Sequence, residues 1–413
     1  MLRAMTYFDA IAKRYPGESS ARQPVHTVYG GGHLFKHDTA HKLGVLAKKS
    51  LDEHAPNAKV FAKAVGLRDD LAEVVYQRVL AKLEREPVED FRIDFEDGYG
   101  TRPDAEEDHH VELAAKEVAK GLAEKTLPPF IGIRIKSFSR ELHQRSKRTL
   151  EVFLKNVGEI PPNFVVTFPK IQHIDQVTDF IQTLSGIEKK LGIRRVPIEI
   201  MVEQPQTLFM PDGRAAMPLI HDACDGRLFG AHFGTYDYTA SMGITAAHQH
   251  MLHPACDFAK NMMQVAFAGT GVMLSDGATN VMPVGTTETV HAAWRLHTTH
   301  VRHSLETAFY QGWDLHPAQL PTRYAAVFAF FLESKQAATE RLKNFVEKAA
   351  QATLVGDVFD DAATGQGLLN FFLRGMTCGA LTEEEAKLAG LTVEELRSKS
   401  FVKVLENRKL GLR

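Results

Sequence analysis

The chain has 413 residues, of which 44% are hydrophobic and 24% are charged, a composition typical of a folded globular protein. The formal net charge is −2, which gives no strong positive field to favour nucleic acid or an anionic membrane, so a small-molecule ligand is expected. The most apolar window, residues 324–332, is too short to cross a bilayer. Three widely spaced cysteines argue against a disulfide framework and favour a reducing, cytoplasmic location.

Apolar, β-branched runs alternate with segments of helical periodicity, which is the pattern of repeated βα units. Eight strands are predicted, at residues 25–30, 91–96, 130–135, 164–170, 196–203, 227–233, 271–276 and 313–317. Eight strands separated by helices favour an α/β protein with a closed (β/α)8 barrel, a TIM barrel. The predicted organisation is a helical extension at 1–24, a barrel at 25–322 with a helical insert at 38–86, and a helical cap or lid at 323–413.

Polar side chains close most of the predicted strands, and the active site of such a barrel lies at the carboxyl ends of its strands. These residues are Asp94, Glu96, Asp97, Arg134, Lys136, Lys170, Glu203, Asp237, Asp276, His316 and Gln319. Any one of them alone is explained equally well as a structural ion pair. The mixture of acids and bases at most strand ends is typical of a site for a small anionic substrate beside a divalent cation.

Glu203 and Asp237 are the predicted ligands of Mg²⁺, with Mn²⁺ as the alternative, because Mg²⁺ prefers a few carboxylates completed by water and substrate oxygens. Arg134 offers a planar fork to a substrate carboxylate. The amides of Gly30 and Gly31 are candidates to bind a carboxylate or phosphate. The alternative for these glycines is a tight turn that needs a positive φ.

The same stretches resemble the citrate lyase β-subunit-like branch of the aldolase superfamily, which includes malyl-CoA lyases and relatives of malate synthase. The similarity rests on IDFEDGYG, GIRI, FPKI, MVEQP, GTYDYTASMG, MLSDG and GWDLHPAQL, in that order, over residues 90–320. It implies Mg²⁺ on Glu203 and Asp237, and an oxo-acid or acyl group held by Arg134. The closing HPAQL motif implies substrate binding by His316 and Gln319. The implied reaction is retro-aldol or Claisen-type cleavage of a C–C bond, or its reverse.

Several positions depart from the pattern of that branch. Lys136 and Gln204 replace an asparagine and a threonine, the first-strand loop reads YGGGHLF, and the C-terminal lid has only a loose counterpart in GDVFDDAATGQG. A free oxo-acid is therefore as well supported as an acyl-CoA substrate. The branch also implies a homo-oligomer in which the tail closes its own site or that of a neighbour.

Lys170 is predicted to add positive charge near an enolate, and the metal pair makes a Schiff base the weaker alternative. The general base is left open between the strand-end acids and the tail. The candidates are Asp94, Glu96, Asp97, Asp357, Asp360 and Asp361. Glu96 and Asp97 are interpreted first as supports of the basic residues, with a catalytic role as the alternative.

Two other function classes stay open. One is a metal-dependent hydrolase of the thioesterase type or a phosphotransfer enzyme on the same barrel, and the other is a non-catalytic ligand-binding barrel. Two histidine groups also need an explanation. His248, His250 and His253 permit a weak zinc hypothesis, although this stretch is better explained as the start of a helix outside the barrel. The group from His291 to His303 is interpreted as a solvated helix face.

Overall fold

The computed structural model describes residues 2–17, 21–347, 353–355, 358–360, 362–397 and 401–409. Its centre is a closed barrel of eight parallel strands in sequence order, with β8 pairing back onto β1. The strands are β1 (His26–Gly31), β2 (Asp90–Asp94), β3 (Phe130–Arg134), β4 (Phe164–Phe168), β5 (Ile198–Val202), β6 (Leu228–Phe233), β7 (Met273–Ala278) and β8 (Gln311–Asp314). The predicted TIM barrel is confirmed.

Helices lie between the strands and extend the chain at both ends. Those up to β8 are α1 (Leu2–Arg14), α2 (Thr39–His54), α3 (Ala58–Val65), α4 (Ala72–Arg85), α5 (Asp104–Glu124), α6 (His143–Asn156), α7 (Ile174–Leu191), α8 (Ala216–Ala223), α9 (Thr235–Ser241), α10 (Pro254–Phe267) and α11 (Thr287–Glu306). After β8 follow α12 (Leu320–Glu347), α13 (Ala362–Thr377), α14 (Glu383–Lys387), α15 (Val393–Arg397) and α16 (Phe401–Lys409). The predicted helical insert therefore consists of α2, α3 and α4.

The C-terminal region is not wholly helical. Two short antiparallel strands, β9 (Thr353–Val355) and β10 (Val358–Asp360), pair with each other between α12 and α13. Helix α12 begins at Leu320 and continues through the predicted boundary at residue 322. Among the described helices, none is both long enough and apolar enough to span a bilayer.

Strand residues alternate between the helices and the barrel interior. Phe91 and Ile93 of β2 belong to the hydrophobic core, whereas Arg92 points inward to Glu199 of β5. The two residues form a bidentate pair with both N···O distances at 2.7 Å, and both are about 1% exposed. Although burial acts against ionisation, the Arg92 charge lowers the pKa of Glu199. Charges so deeply buried must be paired, and this pair closes the barrel below its mouth.

A second buried network joins β8 to the outer helices. Asp314 of β8 lies 2.8 Å from Nδ1 of His26 and 3.0 Å from Nε2 of His297, and it also accepts hydrogen bonds from Arg323 of α12. His297 and His300 of α11 are buried, and His300 lies 2.8 Å from the hydroxyl of Thr279. The interpretation of these histidines as a solvated face is wrong, because α11 turns them towards the barrel and α12.

Candidate active site at the carboxyl ends of the strands

Five predicted residues meet at the mouth of the barrel. Nζ of Lys170, just after β4, lies 2.7 Å from Oε1 of Glu96, 3.0 Å from Oδ1 of Asp97 and 3.7 Å from Oδ1 of Asp237. Glu203 directly follows β5, and Asp237 lies in the first turn of α9. The carboxyl ends of β2, β4 and β6 therefore bring three carboxylates around one ammonium group, and Glu203 at the end of β5 accepts from the backbone N–H of the same lysine.

The backbone at Lys170 is shaped to reach Glu203. Lys170 has a φ of 51°, a left-handed conformation that is uncommon outside glycine, and its N–H donates to Oε1 of Glu203 over 2.7 Å. Strained backbone of this kind persists where the surrounding structure enforces it, and it clusters at functional sites. On the other side, a Cβ at Gly234 would lie 2.5 Å from Cβ of Glu203. Gly234 therefore lets the end of β6 pass close to this carboxylate.

Glu203 is electrostatically unusual. It is 1% exposed, and burial, followed by the charges of Asp237 and Glu96, raises its pKa to about 8. Burial also raises the pKa of Asp237. A bound cation would relieve the repulsion between these two carboxylates, and oxygen donors of this kind suit Mg²⁺.

The donor set therefore fits the metal predicted from the sequence. Glu203 and Asp237 would hold it, and water and substrate oxygens would complete the coordination. The described part of the chain has no group of three or more His, Cys, Asp or Glu residues arranged to hold a metal ion. In the stretch of the zinc hypothesis, His253 caps the N-terminus of α10, where its Nδ1 accepts from the N–H of Ala255.

Arg134 is fixed in place by two acids of β2 and the loop that follows it. Its Nε lies 2.7 Å from Oδ1 of Asp94, its Nη2 lies 2.5 Å from Oδ2, and its Nη1 lies 3.2 Å from Oε2 of Glu96. A guanidinium group has five N–H donors. These contacts with described residues account for three of them, which leaves two N–H groups to meet a ligand carboxylate.

An aromatic floor, formed by Tyr29, Trp313 and His232, lies beside Arg134. The guanidinium carbon of Arg134 is 4.8 Å from the ring centre of Tyr29, and the rings of Tyr29 and Trp313 are 4.4 Å apart. Tyr29 and Trp313 are partly exposed, whereas His232 is buried. None of the three was a candidate from the sequence. The available signal was alternation, since Thr27 and Tyr29 of β1 must share a face.

Two other predicted strand-end residues point away from this mouth. Nζ of Lys136 lies 3.1 Å from Oε2 of Glu107 on α5. Asp276 of β7 lies 3.0 Å from Nζ of Lys260 on α10 and accepts a hydrogen bond from Ser304 on α11. Both side chains tie strands to the outer helices, so the inclusion of Lys136 and Asp276 in the ring at the mouth is wrong.

The HPAQL motif folds as a helix cap. Nε2 of Gln319 donates to the carbonyl of Thr279 over 2.9 Å, and Oε1 of Gln319 accepts from the backbone N–H of Leu315 and His316. Nδ1 of His316 accepts from the N–H of Ala318. These bonds connect the end of β8 to β7, and substrate binding by His316 and Gln319 stays a prediction.

The acids of the C-terminal tail cannot be placed in the site. Asp357 and Asp361 lie outside the described residues, and so does the side chain of Asp360 in β10. A general base contributed by the tail stays a prediction.

The three glycines at the end of β1 and just after it are required by close packing. None of Gly30, Gly31 and Gly32 has a positive φ, so the turn explanation is wrong. A Cβ at Gly30 would lie 2.7 Å from the ring of Phe91, and one at Gly31 would lie 2.5 Å from the carbonyl oxygen of Gly98. The end of β1 therefore packs directly on the β2 loop that carries the acids of the site.

Gly31→Ala is expected to destabilise the protein by about 1–3 kcal/mol, because the new methyl group meets a backbone oxygen that cannot move without shifting the β2 loop. Urea unfolding measures this change. Gly186→Ala in α7 is the matched control, since nothing lies within 4 Å of its Cβ position, and it should be neutral or stabilising. Equal stability of the two variants would contradict the packing explanation.

Solved structures of other proteins share the fold of this barrel. A citrate lyase from Burkholderia xenovorans LB400 has a TM-score of 0.61 at 18% identity, covering 90% of this chain and 100% of that one. Malate synthase from Haloferax volcanii, in its magnesium and glyoxylate complex, has a TM-score of 0.51 at 14% identity, covering 94% and 98%. Likeness at these identities establishes the fold alone. A search of curated proteins found no match.

One family model matches almost the whole chain. The match extends over residues 6–404, and the family is described as a domain of unknown function, DUF6986. The match includes the whole barrel and most of the C-terminal helices. The chain is therefore a member of the DUF6986 family, built on the (β/α)8 barrel that citrate lyase and malate synthase also use.

Proposed function

We propose that the protein is a Mg²⁺-dependent carbon–carbon lyase of the citrate lyase β-subunit-like branch, cleaving or forming a C–C bond in a hydroxy or oxo acid. The observation that carries the proposal is the pairing of Glu203 and Asp237 at the barrel mouth, with Lys170 beside them. Arg134 adds two N–H groups for a carboxylate. An acidic pair for a cation, together with basic groups for an anion, is the equipment that enolate chemistry requires.

Each side chain has a defined part in this proposal. The metal would supply Lewis-acid stabilisation of the negative charge on the enolate oxygen. Arg134 orients the substrate carboxylate through its two remaining N–H groups. Lys170 contributes positive charge, because the neighbouring carboxylates of Glu96 and Asp97 outweigh burial and raise its pKa. A protonated Lys170 is a poor nucleophile, so this route involves no Schiff base.

Product analysis tests the reaction class. The full chain is incubated with Mg²⁺ and separate panels of hydroxy acids, acyl thioesters and phospho-acids, and products are identified by NMR. Release of an aldehyde or oxo-acid from a hydroxy acid, or from its thioester, supports the lyase. Thioester hydrolysis or phosphate release alone would replace it with the hydrolase or phosphotransfer alternative. Binding of an oxo-acid without turnover of any panel would indicate a ligand-binding barrel.

Mg²⁺ affinity is expected to rise with pH. Below a pKa of about 8, Glu203 carries a proton in the metal-free protein, and this proton must leave when Mg²⁺ binds. Affinity should therefore increase up to about tenfold per pH unit from pH 6 to 8 and level off above it. Calorimetry in buffers of different ionisation enthalpy measures both the affinity and the proton released. A Mg²⁺ affinity that does not change between pH 6 and pH 9 would contradict this pKa.

A further inference from the structure

A chain of hydrogen bonds leaves the aromatic floor and ends on a buried carboxylate. The hydroxyl of Tyr29 lies 3.3 Å from Nδ1 of His232. Nε2 of His232 lies 3.2 Å from Oε2 of Glu199. The indole N–H of Trp313 donates to the same Nδ1 over 3.2 Å.

The indole bond fixes where the imidazole proton lies. An indole nitrogen can only donate, so Nδ1 of His232 must be the acceptor and carries no hydrogen. The proton of the neutral ring is then on Nε2, directed at Glu199. Nδ1 has one lone pair, which the Tyr29 hydroxyl, 3.3 Å away, shares with the indole N–H. A proton that moves from Tyr29 to Nδ1 therefore displaces the indole hydrogen bond. The order hydroxyl, imidazole, carboxylate is the arrangement by which a histidine removes a proton from a hydroxyl group.

Glu199 is held ionised at the far end of this chain. It accepts two hydrogen bonds of 2.7 Å from Arg92 and one from Thr167. Its negative charge stabilises an imidazolium on His232 whenever the ring gains a second proton. At the near end, burial raises the pKa of Tyr29 well above its usual range, so the phenol keeps its proton until His232 accepts it. The charged groups that act on Tyr29 are Glu199, Arg92, Arg134 and Asp90.

The phenol lies directly below the candidate active site. Its oxygen is 4.0 Å from Sδ of Met201, which precedes Glu203 by two residues in the chain and so shares its inward face. The guanidinium of Arg134 lies over the Tyr29 ring. Tyr29 therefore contacts both the proposed carboxylate-binding residue and the residue two positions before the proposed metal ligand Glu203.

We propose that Tyr29, His232 and Glu199 form a proton relay that acts as the general base, and then the general acid, of the lyase reaction. The relay rests on the proposed function. The substrate hydroxyl gives its proton to the Tyr29 oxygen as the phenol proton moves to Nδ1 of His232. The C–O bond becomes a carbonyl, the C–C bond breaks, and its electron pair passes to the enolate. In the return step, the Nδ1 proton goes back to Tyr29 as the phenol proton is added to the enolate carbon. The proton lost from oxygen equals the proton gained by carbon, so no further reagent is needed.

Hydrogen exchange of pyruvate tests the relay without knowledge of the natural substrate. The full chain with Mg²⁺ and pyruvate is placed in D2O, and loss of the methyl proton signal is followed by NMR. Wild type should exchange these protons. Tyr29→Phe and His232→Gln should each slow the exchange about 100-fold, within the range for general acid–base residues. The double variant should be no slower than either single variant, because the residues act as one unit.

The controls separate failure of the relay from failure of the proposed function. Tyr76→Phe removes a distant buried hydroxyl, bonded to the carbonyl of Ala55, and should exchange like wild type. The affinity for oxalate in the presence of Mg²⁺, measured by calorimetry, should stay within threefold of the wild-type value in every variant. If wild type exchanges and either folded variant exchanges within threefold of it, the relay is wrong while the lyase stands. If wild type binds oxalate but does not exchange pyruvate, the relay is wrong. If it neither exchanges pyruvate nor binds oxalate, the proposed function falls and the relay falls with it. Should one single variant fail to fold, the other decides.

Discussion

Glu203→Gln is expected to reduce Mg²⁺ affinity about 100-fold or more, because it removes a charged oxygen ligand from a pair that offers only two. Asp237→Asn should have an effect of the same size. Neither change should unfold the chain. Gln mimics the protonated form of Glu203, which is the form favoured below a pKa of about 8 in the metal-free protein. Calorimetric titration with MgCl2 measures the affinity, and thermal unfolding measures the stability.

Glu151→Gln is the matched control for this experiment. Glu151 lies on the surface of the outer helices, and its side chain is 39% exposed. Its Oε1 is 2.5 Å from Nζ of Lys190. Its loss should leave Mg²⁺ affinity unchanged, since surface ion pairs of this kind contribute little. Unchanged affinity in both Glu203→Gln and Asp237→Asn would overturn the metal assignment.

Arg134→Lys is expected to weaken oxo-acid binding about 10- to 100-fold while leaving the metal in place. Lysine carries the charge but lacks the planar fork, so it cannot hold Asp94 through two bonds and still present two N–H groups to a carboxylate. The stacking of the guanidinium on Tyr29 is also lost. Oxalate binding in the presence of saturating Mg²⁺, followed by calorimetry, measures the loss, and Mg²⁺ affinity in the absence of oxalate should change less than threefold.

Arg148→Lys provides the comparison for the arginine change. Arg148 is 60% exposed and pairs with Asp108 on the outer surface. The same substitution there should change neither the Mg²⁺ affinity nor the oxalate affinity. If oxalate bound Arg134→Lys as tightly as wild type, the role of Arg134 in substrate binding would be wrong. If Mg²⁺ affinity fell together with oxalate affinity, Arg134 would act by positioning the acids instead.

The barrel could be predicted because its strands are buried on both faces. Each of the eight predicted runs contains or overlaps an observed strand, and the helices between them follow the apolar periodicity of the sequence. Five of the eight predicted strands continue too far at their carboxyl ends; β2, for example, ends at Asp94 and β4 at Phe168. The polar residues that follow bend away from the sheet to form the site. Local pattern gives no reason for the short antiparallel strands β9 and β10.

The site could be predicted only in part, because alternation along a strand does not say which residues point inward beyond its end. Glu203, Asp237 and Lys170 come together as proximity of strand ends suggests. Lys136 and Asp276 occupy similar sequence positions but pair with acids and bases of the outer helices. That choice depends on partners supplied by distant helices, which no single strand reveals.

The aromatic floor was missed for a different reason. Tyr29 and Trp313 belong to apolar runs and resemble core residues, and their hydrogen bonds with His232 exist only when β1, β6 and β8 close into one barrel. The buried histidines of α11 illustrate the same limit, since the charge on β8 that pairs with His297 is invisible to helical periodicity. Strands can be predicted from local sequence, whereas polar contacts across the barrel form only when the fold closes.

The most direct measurement is a crystal structure of the protein grown with Mg²⁺ and pyruvate. The expected result is a metal ion bound by the carboxylates of Glu203 and Asp237, with the pyruvate carboxylate on the Nη1 and Nη2 groups of Arg134 and its methyl group towards Tyr29. A metal ion bound elsewhere, or pyruvate absent from the carboxyl end of the barrel at saturating concentration, would contradict the proposed function.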